Sequence, residues 1–150
     1  MRIAIQEAMK GIEKGNRPFG AILVKNGKVV AKAHNTVDED NDPTAHAELN
    51  VIREFSKKMG SWDLSDYTIY STCEPCPMCT SAIAWANIRK LIFGSQRDDF
   101  EGKYRRQFSV WPEKFYEQEN LKIEVISGVL RDEIIELYKE YQKHHNKTSS

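Results

Sequence analysis

The sequence predicts an α/β fold, a three-layer α/β/α domain on one five-stranded mixed sheet. Three observations predict it. Helical and β-rich patterns follow the order helix, two strands, helix, strand, helix, strand, strand, helix. The first two strands flank Asn26-Gly27, which makes them an antiparallel hairpin. Later strands separated by helices suit parallel pairing, with helices covering both faces.

From Ile5, the residues Ala8, Met9 and Ile12 recur at helical spacing, and Gly15-Asn16 ends the pattern. Residues 21–24 and 29–31 are the hairpin strands, because Asn-Gly tolerates the positive φ angles of a two-residue turn. After a polar loop over 38–43, a second helix is expected to begin near Thr44 and end at Gly60. It should bury Ala45, Leu49, Ile52 and Phe55, with His46 and Glu48 in its first turn. Residues 67–70 form a strand, followed by Glu74-Pro75 and a third helix to Ala86, with Pro75 in the first helical position. Residues 90–94 and 122–126 are the last two strands, and the polar and aromatic stretch 96–120 between them carries no assigned element. Leu130, Ile134, Leu137, Tyr138 and Tyr141 stripe a final helix, and 143–150 is expected to fray. With no repeat or linker, residues 1–150 are expected to form a single domain.

Hydrophobic residues at 40% and charged residues at 29% are the mixture of a globular chain and exclude a disordered one. Lysine plus arginine equals aspartate plus glutamate at 22 each, so net charge points to neither a phosphate backbone nor an anionic membrane, and small substrates are favoured. No apolar run approaches the roughly 20 residues of a bilayer span. Met1 leads directly into a helical pattern, so a cytoplasmic location is expected.

Three cysteines are a poor basis for disulfides, but Cys76 and Cys79 form a C-x-x-C pair on one helix face, in a first turn that favours thiolate. Cys73 precedes the turn and would join them awkwardly, so a nitrogen ligand is the natural third. His144 and His145 fall in the tail and His34 at a strand end, which leaves His46. One histidine and two cysteines leave a fourth zinc position for water, as in catalytic rather than structural sites. Glu48, two residues beyond His46, is then a ready general base. Other readings exist for the same residues. The cysteine pair also suits a redox couple or half of a structural zinc knot, and His46 a satisfied core histidine. Glu48 also complements a helix N-terminus. Asn35 fits a turn former, Phe19 and Trp85 fit core aromatics, and Cys73 fits a small buried residue.

His46-Ala47-Glu48 with Pro75-Cys76-Pro77-Met78-Cys79 resembles the H-x-E and P-C-x-x-C signature of the cytidine deaminase superfamily. Pro18-Phe19-Gly20-Ala21, His34-Asn35, residues 41–48 and residues 73–79 look like the guanine deaminase branch, which also resembles tRNA adenosine deaminases. The resemblance implies a cytidine deaminase-like fold, one zinc ion held by His46, Cys76 and Cys79, and no organic cofactor. It implies that Glu48 takes a proton from the attacking water and returns protons to the ring nitrogen and the leaving amine. It also implies that Asn35 hydrogen-bonds the base, that the backbone at Ala47 contacts a ring substituent, and that Phe19 lines the pocket. Trp85 resembles an aromatic that closes the pocket, across a dimer interface in that branch. A homodimer is therefore expected, with Trp111, Phe115 and Tyr116 as exposed aromatics for contact.

The substrate expected from this resemblance is guanine, converted to xanthine. Asp98, Asp99 and Glu101 offer the acid that this branch uses to read the base, whereas 147–150 lacks the C-terminal aromatic of the pattern. A tRNA adenosine deaminase is the alternative, with Lys103, Arg105, Arg106, Lys143 and Lys147 for phosphate contacts, although acids interleave with them. Deamination of a pyrimidine or another aminated ring, and a zinc-loaded subunit without activity, are further alternatives.

Overall fold

The computed structural model describes residues 1–100 and 108–145. In order they form α1 (Arg2–Glu13), β1 (Gly20–Lys25), β2 (Lys28–His34), α2 (Val37–Asp40), α3 (Ala47–Met59), β3 (Thr68–Cys73), α4 (Pro77–Trp85), β4 (Lys90–Ser95), a 3-10 turn (Arg97–Asp99), α5 (Pro112–Gln118), β5 (Glu124–Ile126) and α6 (Arg131–His145). The five strands lie in the order β2-β1-β3-β4-β5. β1 runs antiparallel to β2 and β3, while β3, β4 and β5 are mutually parallel, which is the expected mixed sheet. Asn26 and Gly27 turn the hairpin with φ of 50° and 72°, as a two-residue connection requires.

Alternation along β1 divides the core into two layers. Ala21 and Leu23 point into the larger cluster with Val51 and Phe55 of α3, Ile83 of α4 and Tyr116 of α5. The opposite face carries α1 and α6, where Ile134, Tyr138 and Phe100 pack with Ile5, Phe19 and Cys73. The inward side of α1 is Ala4, Glu7, Ala8 and Gly11, whereas Met9, from the sequence stripe, is 47% exposed. Small residues win that face because α1 lies almost on the backbone of β1. A Cβ built on Gly20 would sit 2.7 Å from the Ala8 nitrogen and closer still to the Ala4 carbonyl. Gly20→Ala must therefore displace helix backbone, and we expect it to cost about 3 kcal/mol. A urea melt checks this, as a lowered midpoint with an unchanged slope.

Several boundaries differ from the sequence reading. The second helix starts at Ala47 rather than near Thr44, because the Thr44 N–H and hydroxyl both donate to Asp42 Oδ1, at 2.8 and 2.7 Å, and hold a turn. His46 is the extended N-cap, with φ −71° and ψ 153°. Ala45, Leu49 and Phe55 are buried as expected, and Ile52 is half-buried. The third helix starts at Pro77, so Pro77 and not Pro75 takes the first helical position. The ring of Pro77 drives the preceding Cys76 into extended backbone, and the helix cannot begin earlier. α2 is a single polar turn, and α5 occupies part of the stretch left without an element. α6 continues through Lys143 to His145, whose ring stacks on Tyr141 at 3.9 Å, so these residues are helix rather than frayed tail.

Candidate metal centre

Two helix N-termini and the end of one strand meet at a single place. β3, held between β1 and β4, delivers its last residue, Cys73, and the chain then turns through Glu74-Pro75 into Cys76, the N-cap of α4. α3 brings His46 as its own N-cap, with Ala47 and Glu48 in its first turn. The carboxyl end of a parallel strand is where open α/β sheets present their sites. Unpaired N–H groups and the positive ends of both helix dipoles favour anionic ligands there.

The ligand atoms of His46, Cys76 and Cys79 all lie within 4.8 Å of one another. His46 Nδ1 is 3.6 Å from Cys76 Sγ and 3.5 Å from Cys79 Sγ. One nitrogen and two sulfurs converging at such distances fit a tetrahedral zinc with one position open. Glu48 is 6% exposed, and its Oε2 lies 3.6 Å from Cys79 Sγ. Its Oε1 accepts a 2.9 Å hydrogen bond from Ser71 Oγ. The expected four residues thus come together.

The protons of this cluster show how it is poised for a metal. The hydrogen bond from Cys79, with help from His46, lowers the Cys76 thiol to about 4, so Cys76 is a thiolate. Cys79, as donor to that thiolate and buried, is pushed well up and keeps its proton. Burial opposes charge on His46, but the Cys76 hydrogen bond and the Glu48 charge outweigh it and raise its pKa. Burial raises Glu48 against the pull of His46 and Ser71. Zinc must displace protons from the cluster, so its affinity should climb with pH. We expect the zinc dissociation constant to fall at least about tenfold from pH 6 to pH 8 in chelator competition, and a flat profile would count against these ligands.

The residues expected to touch a base are distributed around this cluster. Asn35 is buried, and its N–H donates to the Phe19 carbonyl at 3.0 Å. Its Oδ1 accepts the Val37 N–H at 3.1 Å, so it does form a turn, while its Nδ2 has no acceptor among the described residues. Thr36 N–H donates to the Ala45 carbonyl, and Asn50 Nδ2 reaches the His34 carbonyl and Thr36 Oγ1, which ties the Asn35 loop to the residue before His46. Phe19 packs edge-on against Phe100, with ring centroids 5.8 Å apart. Ala47 is buried between His46 and Glu48.

Trp85 is 80% exposed at the far end of α4, so it is not a core aromatic. Helix rise places it about 9 Å along the axis from Cys79. It lines a surface groove with Trp62, Phe115 and Leu121. Trp111 is exposed and Phe115 half-buried, but Tyr116, expected outside, is buried with its hydroxyl donating to the Thr80 carbonyl. Among the acids of the 96–120 stretch, Asp99 is engaged by the Arg131 guanidinium, and Asp98 is exposed. Glu101, Lys103, Arg105, Arg106 and Lys147 lie outside the described residues.

Sequence reasoning missed two supports. Glu74, within the quoted Cys-Glu-Pro-Cys run, is buried and accepts from Arg97 N–H and Nε at 3.1 and 3.2 Å, while Arg97 Nη2 reaches the Val110 carbonyl. This pair clamps the loop that carries Cys76. Ser71 is the second, on a strand whose inward serine gave no signal of its own.

The sheet, the paired helix N-termini and the His-Cys-Cys cluster define a zinc-binding deaminase domain. Residues 1–95 match the family model of the cytidine and deoxycytidylate deaminase zinc-binding region, and the chain belongs to that family. It is 41% identical over 133 residues to the tRNA-specific adenosine deaminase of Bacillus subtilis, a match covering 89% of this chain and 80% of that protein. It is 41% identical over 100 residues to the guanine deaminase of Bacillus subtilis, covering 66% of this chain and 64% of that relative. The solved guanine deaminase of Nitrosomonas europaea superposes with a TM-score of 0.81 at 25% identity, over 95% of this chain and 82% of that one. The chain is therefore similar to deaminases of both kinds and is a deaminase acting on carbon–nitrogen bonds. Among the described residues no helix is long and apolar enough to cross a membrane.

Proposed function

We propose that this chain hydrolyses a free purine base, converting guanine and water to xanthine and ammonia. The observation that carries the choice of substrate is the acidic rim beside the metal cluster. Asp38, Glu39, Asp40 and Asp42 lie in the segment joining Asn35 to His46, and the three acids of α2 are exposed. Arg17, near enough to His46 for its charge to oppose protonation there, pairs with Asp38, and Arg53 pairs with Asp42. Among the described residues, four acids against two paired cations leave a negative edge, which repels a phosphate backbone and is indifferent to a neutral base.

In this reading His46, Cys76 and Cys79 would hold zinc, which would supply a Lewis acid beside Glu48 for hydrolysis at the ring carbon bearing the amine. Glu48 accepts the proton of that water and returns protons to the ring nitrogen and to the departing ammonia. The Asn35 amide and the Ala47 backbone orient the base, and burial of Glu48 keeps bulk water from competing for its proton. The groove of Trp62, Trp85, Phe115 and Leu121 supports a homodimer, since such apolar exposure marks interaction surfaces.

A second reading, deamination of adenosine in tRNA, is favoured by the longer match to the Bacillus subtilis tRNA-specific adenosine deaminase. The test is ammonia release by the zinc-loaded protein from guanine, adenine, cytosine, their nucleosides and a tRNA anticodon stem-loop. Release from free guanine alone supports the proposal. Release from the stem-loop alone overturns it in favour of the second reading, and release only from another ring overturns the choice of guanine.

A further inference from the structure

Ser71 is a buried polar residue at this site to which the proposed chemistry gives no task. It is 2% exposed and sits on β3, with its backbone aligned against Ala21 of β1 and Phe93 of β4. A residue held in the middle of a sheet from both sides offers a fixed point. Its Oγ lies 2.9 Å from Glu48 Oε1 and 2.7 Å from the Cys73 carbonyl, so one hydroxyl proton faces two acceptors. The Cys73 carbonyl belongs to the same strand, which confines the rotamer of Oγ.

Glu48 has a long side chain whose last torsion is broad and intrinsically weakly defined. Burial alone does not choose which way its carboxyl plane turns. Here the two oxygens are divided: Oε1 meets Ser71, and Oε2 faces the sulfur of Cys79. We propose that Ser71 is the positioning residue of the reaction, anchoring Oε1 so that Oε2 stays turned toward the metal-ligand cluster. The inference rests on the reading of Glu48 as the proton carrier. A hydroxyl suits the task because the proton comes and goes on Oε2 while Oε1 remains an acceptor throughout, so a single neutral donor serves both states. An arginine or lysine there would hold the carboxylate as an ion pair and resist its taking up a proton.

The test compares the zinc-loaded wild type with Ser71→Thr, Ser71→Val and Glu48→Gln. Threonine and valine impose nearly the same bulk on the strand and differ in the hydroxyl. Crystal structures of the zinc-loaded proteins give the position of the Glu48 side chain, metal analysis gives the zinc content, and kinetics on the substrate found by ammonia release give kcat and KM separately. Ser71→Thr should keep one Glu48 position and kcat within about threefold of wild type. Ser71→Val should keep full zinc and an unchanged KM, but spread Glu48 over more than one position and lower kcat by about 10- to 100-fold. A Ser71→Val protein with Glu48 in place and kcat intact overturns the inference while leaving the role of Glu48 standing. Loss of zinc from Ser71→Val also overturns it, since Ser71 would then support the metal site as a whole. Normal turnover by Glu48→Gln overturns the reading underneath.

Discussion

Glu48→Gln should abolish turnover while leaving the protein folded and fully loaded with zinc. Glutamine keeps the shape of the side chain and can still accept from Ser71 Oγ, whose 2.9 Å hydrogen bond anchors the native carboxyl. It cannot take up the proton of water at the oxygen that faces Cys79, 3.6 Å away. Loss of a positioned general base lowers rates by about 10²- to 10⁴-fold, and the upper end is expected here because Glu48 is buried beyond the reach of substitute bases. Because it is a neutral group in place of a carboxyl whose charged form burial already penalises, the substitution should not destabilise the fold. Ammonia release and metal content, measured on the same sample, check both halves. Turnover within about tenfold of wild type, with zinc retained, would remove Glu48 from the mechanism.

That His46, Glu48, Cys76 and Cys79 could be named from the sequence follows from how local the signals are. His46 and Glu48 are two residues apart, Cys76 and Cys79 three, and each pair opens a helix whose apolar pattern can be read. The hairpin was equally local, resting on Asn26-Gly27. What escaped depended on contacts across the chain. The hydrogen bond of Ser71 to Glu48 spans 23 residues, and so does that of Arg97 to Glu74. Neither pairing leaves a periodic trace. Boundaries failed where a side chain overruled propensity, as when Asp42 captured Thr44 and delayed α3. The exposure of Trp85 escaped for another reason: an aromatic in an apolar helix reads as core, and only the position of α5 beside α4 shows which face stays open.

The second large effect concerns the metal ligands. Cys79 is fully buried in the first turn of α4, and it bridges the cluster to Glu48. Cys79→Ala removes one of the three ligands proposed among the described residues, so zinc content should fall from about one equivalent to near zero. Ligand binding to the folded state alone stabilises it by about 4 kcal/mol when free metal exceeds the dissociation constant a thousandfold. For a chain of this length each 1 kcal/mol moves the melting temperature by about 2–4 °C, so stripping zinc from the wild type should lower Tm by about 10 °C. The decisive comparison is the response to chelator. Wild type should fall on treatment to a value near that of untreated Cys79→Ala, and the variant should not fall further, because it has no metal left to lose. A variant that still carries zinc, or that loses stability again on chelation, places the metal on other residues. A wild type indifferent to chelation would instead mean that the cluster of His46, Cys76 and Cys79 and the two helix N-termini keep the fold stable without metal.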